Sequence, residues 1–387
     1  MQHAARYAAA IEILDEILGG VAAERSLTNW ARGHRFAGSK DRAAIRDIVF
    51  DVLRNRRSCE VRGGAFTGRG LVLGLLREQD TAPETVFGAG GHAPDDLTPD
   101  EHTSGTVPSA SDAMNIPHWL HPQWHADLGD DAAMVAQVQC SRAPVTVRMS
   151  TKRCDQAAAI ARLASDDIEA IAVDGVSTAL HLITNARRLK TSQAYLDGWV
   201  DLQDASSQRA VAALRCDATS RVLDYCAGGG GKALAIADIH GCAVTAHDVD
   251  PARTADIAPR AARAGLSIDV ALTEQLSQLA LFDVVFCDAP CSGSGTWRRT
   301  PQSKWNFSAD KLSEYNALQR DALSRAAQYV APNGTLVYAT CSVLNAENEA
   351  IVETFCAQTD FAITSSQRLL PDAAGDGFYW ASLTRQH

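Results

Sequence analysis

The sequence lacks any uninterrupted apolar run long enough to cross a bilayer, so no membrane span is expected. Its first residues, Met1-Gln-His-Ala-Ala-Arg6-Tyr, carry no signal-peptide core and no cleavage site, and the cytoplasm is the expected location. There is no Cys-x-x-Cys pair among the ten cysteines and no Cys/His cluster at ligand spacing. Neither a disulfide framework nor a metal site is therefore expected. Scattered cysteines in apolar runs, such as Cys287 and Cys356, read as small buried hydrophobes. A basic excess is also missing: 36 Lys and Arg face 46 Asp and Glu, a net charge of −10. That argues against a nonspecific nucleic-acid binder and leaves room for a local basic face. No internal repeat is evident.

What is present is a 387-residue chain, longer than a single core usually spans, so two or three domains are expected. Residues 1–135 read as helical. Ala10, Ile11, Leu14, Ile17 and Leu18 recur at helical spacing before Gly19-Gly20, and a second helix over Asp41–Arg54 carries the stripe Ile45, Ile48, Val49, Val52 and Leu53. Arg35, Lys40, Arg42, Arg46, Arg54, Arg56, Arg57 and Arg62 surround it, either as a solvated helix surface or as a phosphate-binding patch. A Gly-, Pro- and Ser-rich stretch near 80–113 reads as a flexible segment. Trp119 and Trp124 read as packing residues. Residues 136–204 read as a small α/β, RRM-like subdomain, with Ser206 or Ser207 capping the helix that follows.

Residues 205–387 alternate strand and helix, the pattern of a doubly wound, mostly parallel Rossmann-type sheet. Strands read at Arg221–Tyr225, Ala243–His247, Ile268–Leu272, Asp283–Cys287 and Thr335–Thr340, with a long helix over Ala309–Tyr329 and a late strand near the sheet edge at Phe378–Thr384. The run Asp283-Val-Val-Phe-Cys-Asp288-Ala-Pro-Cys291-Ser-Gly-Ser-Gly295 is the centre of the argument. Pro290 cannot donate to a sheet ladder, so the strand stops there and delivers a carboxylate and a thiol at its carboxyl end. Thr335-Leu-Val-Tyr-Ala-Thr-Cys341-Ser342 ends in the same way, with another thiol. In open α/β sheets that edge binds ligands, and two thiols with an aspartate there suggest covalent chemistry.

Val222-Leu-Asp224-Tyr-Cys226-Ala-Gly228-Gly-Gly-Gly231-Lys232 is a strand, a glycine turn and a helix start. Asp248, at the end of the next strand, is placed to accept hydrogen bonds from ribose hydroxyls. ATP fits poorly, because Ala233 follows Lys232 where a P-loop needs a hydroxyl. A dinucleotide and S-adenosylmethionine both fit the turn. The downstream thiols favour the second, since hydride transfer has no need of them.

Asp288-Ala-Pro-Cys291-Ser-Gly-Ser-Gly, Tyr338-Ala-Thr-Cys341-Ser-Val-Leu-x-x-Glu347-Asn-Glu349 and Asp224-x-Cys-Ala-x-x-Gly-Gly-Lys232 together resemble the RsmB (Sun, Fmu) type of RNA cytosine-5 methyltransferase from about Asn115 onward. The N-terminal helices look like a NusB-like RNA-binding domain. The resemblance implies a catalytic domain over 205–387, S-adenosylmethionine as cofactor, and 5-methylcytosine in ribosomal RNA as the product. Transfer RNA, or an idle ribosome-assembly role, is the alternative. It implies that Cys226, Ala227, Gly228, Gly229, Gly230, Gly231 and Lys232 line the cofactor site together with Asp248, Glu274 and Asp288. Cys341 would be the nucleophile, Cys291 would assist release, Asp288 would contact the base, and Lys232 would order Asp288 or the base. Arg298, Arg299 and Lys304 would touch RNA phosphates, and a monomer is expected. Two positions depart from the pattern: Gly228-Gly229 stands where the family usually has Ala-Pro, and Gln302 where it often has Asp.

Overall fold

The stripe Ile45, Val49, Val52 and Leu53 is buried in the computed structural model, which describes residues 1–386. It belongs to a first unit made of residues 1–142 and 297–307. Helices α1 (His3–Leu18), α2 (Ala23–Gly33), α3 (Ser39–Arg54), α4 (Arg56–Gly63) and α5 (Gly68–Glu78) share one apolar core. Helices α4 and α5 touch backbone to backbone: a Cβ on Gly74 would lie 1.9 Å from the Cys59 carbonyl oxygen.

Of the cations around α3, Arg35, Lys40, Arg42 and Arg46 are exposed, whereas several others are engaged within the unit. Arg54 pairs with Asp51 at 2.8 Å, Arg57 with Asp112 and Glu60 at 2.8 and 2.9 Å, Arg46 with Glu24 and Arg62 with Glu78. Arg56 lies 4.0 Å over the Trp305 ring, and burial pushes it down to about 10.

Hydrogen bonds reach into the stretch near 80–113 from the helices before it. Arg69 binds Glu101 and the carbonyls of Asp95 and Asp96, and Arg77 takes the carbonyls of Arg62 and Ser104 at 2.6 and 2.8 Å. Capping boxes at Thr98/Glu101 and Ser109/Asp112 start two short helices within it.

The second unit comprises residues 143–296 and 308–387. Strands β1 (Val145–Met149), β2 (Ala170–Val173), β3 (Val176–Leu182) and β4 (Val200–Leu202) form an antiparallel sheet in the order β2-β3-β1-β4. Asp204, not Ser206 or Ser207, caps the following helix, accepting from the Ser206 amide.

Strands β5 (Arg221–Asp224), β6 (Ala243–Ala246), β7 (Asp269–Val270), β8 (Phe282–Asp288), β9 (Val330–Thr340), β10 (Phe361–Leu369) and β11 (Phe378–Arg385) form the large sheet in the order β10-β11-β9-β8-β5-β6-β7. The five strands from β9 to β7 run parallel; β10 and β11 pair antiparallel at one side. Val284, Val285, Phe286 and Cys287 are all buried, as expected of a central parallel strand covered on both faces. β11 is the late strand expected near the sheet edge; β10, which was not anticipated, pairs outside it.

The two sheets are tied by a buried ion pair. Arg148 on β1 donates to Asp238 on the helix Gly231–His240, with side chains 3% and 0% exposed. Ser150 Oγ at 3.0 Å and the Thr151 amide at 3.2 Å complete the shell of Asp238. Removing one partner of a buried pair leaves the other charge uncompensated. Asp238→Ala is expected to destabilise the protein by about 3–5 kcal/mol. The double change Arg148→Met/Asp238→Leu is expected to cost less than Asp238→Ala alone, as read from urea midpoints.

Candidate active site

β5 ends at Asp224, and the chain then turns through Cys226–Gly230 before the helix starting at Gly231. The turn is fixed by backbone bonds: the Ala227 amide to the His247 carbonyl at 2.8 Å, and the Gly230 amide to the Ala227 carbonyl at 2.9 Å. Gly228 and Gly230 have φ of +49° and +75°, and a Cβ on Gly230 would lie 2.7 Å from Ile257. Position 230 therefore requires glycine for both conformation and space.

Asp248, just beyond β6, is buried. Its Oδ2 accepts the Gly228 amide at 2.9 Å, its Oδ1 accepts the Asp250 amide at 3.1 Å, and Arg253 pairs with it at 3.2 Å. Glu274 is exposed on the short helix Thr273–Leu276 that follows β7.

The carboxyl ends of β8 and β9 lie side by side, with Asp288 opposite Ala339. Lys232 crosses from the helix start to bind Asp288 Oδ2 at 2.5 Å. Burial pulls the ammonium of Lys232 down, but the carboxylate of Asp288 overcomes it, and the net effect is upward. Beyond the strand ends, Cys291 Sγ and Cys341 Sγ are 3.4 Å apart. Cys291 is held well above the ordinary thiol range, first by its hydrogen bond to Cys341 and then by burial, so it is the sulfur that keeps its proton.

Asp224 lies at the end of β5. It is 0% exposed, and neither carboxylate oxygen has a hydrogen-bond partner of good geometry. Burial first, then the charge of Asp288, pushes it up to about 7, against the opposing pull of Lys232 and the Ala233 amide.

Lys232, Asp288, Cys291, Cys341, the turn 226–231 and Asp248 thus gather at the ends of four adjacent strands, where the chain switches from one side of β5 to the other. Glu274 stands apart, on the exposed end beyond β7. Two of the three cations expected to touch RNA, Arg298 and Lys304, need correction. Residues 297–307 belong to the first unit. Arg298 and Lys304 are 2% and 0% exposed there, so their charges do not face solvent. Lys304 Nζ donates to the Arg54 carbonyl at 3.0 Å, and burial pushes it down to about 8. Arg299 is half-buried in the same segment. Asp224 and Glu347 were quoted only as motif letters. Their burial was not visible in the sequence, although an acidic residue amid apolar neighbours is the signal that singles out Asp224.

The fold and the strand-end site together define a Rossmann-type methyltransferase. A family model described as 16S rRNA methyltransferase RsmB/F matches residues 211–384, and one described as the RsmF/B-like ferredoxin-like domain matches residues 116–187. The chain is 33% identical over 287 residues to a ribosomal RNA small subunit methyltransferase B of Sodalis glossinidius, covering 70% of this chain and 66% of that protein. It is 31% identical over 299 residues to the protein of that name from Xanthomonas campestris pv. campestris, covering 72% and 68%. The chain thus spans about two thirds of the length of these relatives. Among solved structures, PH0851 matches with a TM-score of 0.74 at 20% identity, covering 100% of this chain and 99% of that one. NSun6 from Pyrococcus horikoshii with SFG matches with a TM-score of 0.60 at 16% identity, covering 70% and 98%. The chain belongs to the RsmB/F methyltransferase family.

S-adenosylmethionine is the cofactor of such a methyltransferase. The residues present fit it: a glycine turn after β5, a buried carboxylate at the end of β6, and orphaned oxygens on Asp224 beside a lysine.

The raised Asp224 has a consequence for stability. An ordinary aspartate titrates near 3.8 and Asp224 near 7, so between these values the folded protein holds a proton that the unfolded chain has released. Stability therefore falls as pH rises through that window. Asp224→Asn is expected to remove this loss. Its melting temperature should gain on wild type as pH climbs from about 4 to 7 and level off above, an advantage on the order of 1–3 kcal/mol.

Proposed function

We propose that the protein methylates carbon 5 of cytosine in RNA, with ribosomal RNA as the substrate. The observation that carries this reading is the 3.4 Å contact between Cys291 and Cys341 beside the Lys232–Asp288 pair. Carbon 5 of cytosine is too weak a nucleophile to take a methyl group unaided. Addition of a thiolate to carbon 6 makes it one, splitting a hard step into two easier ones.

In this reading Cys341 Sγ attacks carbon 6. The electron pair displaced from the ring double bond moves toward ring nitrogen 3. There Asp288 supplies a hydrogen bond or proton, replenished by Lys232 at 2.5 Å. S-adenosylmethionine, when bound, supplies an electrophilic methyl group. The residues of 226–231 and Asp248 hold it, and Glu274, exposed beyond β7, takes the adenine side. Loss of the carbon 5 proton and cleavage of the sulfur–carbon 6 bond then release the base. Cys291 assists: its retained proton and its place against Cys341 suit it to give a hydrogen bond or proton to the departing Cys341 thiolate. The target base must be unpaired or flipped out to reach the thiols.

The test uses labelled S-adenosylmethionine and RNA from cells lacking the protein, with 5-methylcytosine mapped afterwards. Cys341→Ala is expected to lose on the order of 10³-fold or more of transfer. Cys291→Ala is expected to accumulate an RNA–protein adduct that survives a denaturing gel. Identical behaviour of the two variants would overturn the division of labour.

A further inference from the structure

Glu347 has no accessible surface. Its Oε1 accepts the Ser292 amide at 2.7 Å and Gln319 Nε2 at 3.1 Å. Its Oε2 accepts Ser342 Oγ at 2.6 Å and also Ser292 Oγ. Ser292 follows Cys291 and Ser342 follows Cys341, so one carboxylate grips the residue after each thiol. Ser294 Oγ closes the arrangement, 2.9 Å from Ser342 Oγ and accepting the Val343 amide at 2.9 Å. The Gly295 amide meets the Cys341 carbonyl at 2.9 Å. Glu347 is itself held from behind: its carbonyl accepts Tyr338 Oη at 2.6 Å, and Asn348 Nδ2 donates to the Ser342 carbonyl at 2.9 Å.

We propose that Glu347 is a positioning residue that clamps the loop after β8 to the loop after β9 and thereby sets the separation of the Cys291 and Cys341 sulfurs. The proposal rests on the reading of these two thiols as the working pair. A carboxylate suits the task because its two oxygens accept four hydrogen bonds, which two loops can share. A buried charge is tolerated only when so satisfied. Being sealed from solvent, Glu347 meets no substrate, and its effect passes through the backbone on either side of the sulfurs. Its charge also adds to the influences keeping Cys291 protonated.

The experiment compares Glu347→Ala, Glu347→Gln and Ser342→Ala in the full chain. Three readouts are taken: kcat and KM for methyl transfer, affinity for S-adenosylhomocysteine, and the rate at which an azo oxidant such as diamide joins residues 291 and 341. In that last reaction two thiols lose two electrons and two protons to the oxidant and gain a sulfur–sulfur bond. Peptide mapping assigns the bond among the ten free cysteines. Glu347→Ala should slow this bond about tenfold or more and lower kcat roughly 100-fold, with KM and homocysteine-analogue affinity within about threefold. Glu347→Gln should keep both rates within about fivefold of wild type, because serine hydroxyls can turn to accept from an amide. Ser342→Ala, which cuts one leg only, should fall between. A wild-type joining rate in Glu347→Ala overturns the proposal whatever the activity. If Glu347→Ala fails to fold, wild-type joining rate and kcat in Ser342→Ala overturn it instead. A slowed joining rate in a protein whose product is not 5-methylcytosine supports the clamp and sinks the functional reading, so the two fail separately.

Discussion

The parallel register of β8 against β9 is the constraint on which the site depends. With Asp288 opposite Ala339, the two strands stop almost together: Ala289 and Pro290 separate the end of β8 from Cys291, and Cys341 directly follows the last residue of β9. Side chains alternate along a strand, so a slip of one residue would turn Asp288 away from Lys232 and bury a charge among Val285, Cys287 and their neighbours. The register is held by burial on both faces of β8, which makes any other pairing costly. Pro290 then ends the ladder at once, and the Gly295 and Ala289 amides bind carbonyls at the end of β9, so the two loops stay together after the strands have finished.

Charge at this edge is arranged with equal economy. Lys232 faces two carboxylates, Asp288 at 2.5 Å and the buried Asp224. One ammonium cannot neutralise both in a poorly solvated place. Asp288 keeps the contact and its partial exposure to water, whereas Asp224 has neither and yields by holding a proton toward neutral pH. At the thiols, the contact with Cys341 and then burial hold Cys291 well above the ordinary thiol range.

Much of this was legible because central parallel strands are nearly continuous apolar runs and announce themselves. The stretches around Val284–Phe286 and Leu336–Ala339 could hardly be anything else, and the glycine turn after Asp224 follows from the strand that precedes it. β10 escaped notice because Thr364, Ser365, Ser366 and Gln367 are exposed on a sheet edge and read as loop. The hydrogen bonds that reach residues 80–113 escaped for a different reason: Arg69 and Arg77 bind carbonyls 24 to 27 residues away, which no local pattern encodes. Glu347 was visible as a letter in a motif, but its four hydrogen bonds converge from three separate segments and exist only once the sheet has formed.

The stretch 297–307 shows why a count of cations is a poor guide to where charge is presented. Arg298, Arg299 and Lys304 follow the strand-end loop in sequence, and a charged run there invites a phosphate. Yet the same run contains Trp297 and Trp305, and these decide the outcome. Trp297 stacks 6.0 Å from Trp124, and Trp305 Nε1 donates to the Leu53 carbonyl at 2.6 Å, so the segment is drawn into the core of the helical unit. Once there, its cations must be satisfied internally. Lys304 lies 4.8 Å over Trp305 while donating to the Arg54 carbonyl, and the backbone of Arg298 is engaged too, its amide donating to Gln139 Oε1 and its carbonyl accepting Arg54 Nε. Burying Trp297 fully and Trp305 in part is worth a few kcal/mol, enough to carry a hydrogen-bonded ammonium inward with its pKa lowered. A basic residue flanked by tryptophans is therefore better read as part of a helix-docking strap than as a phosphate contact, and this chain places Lys304 on the docking side of that line.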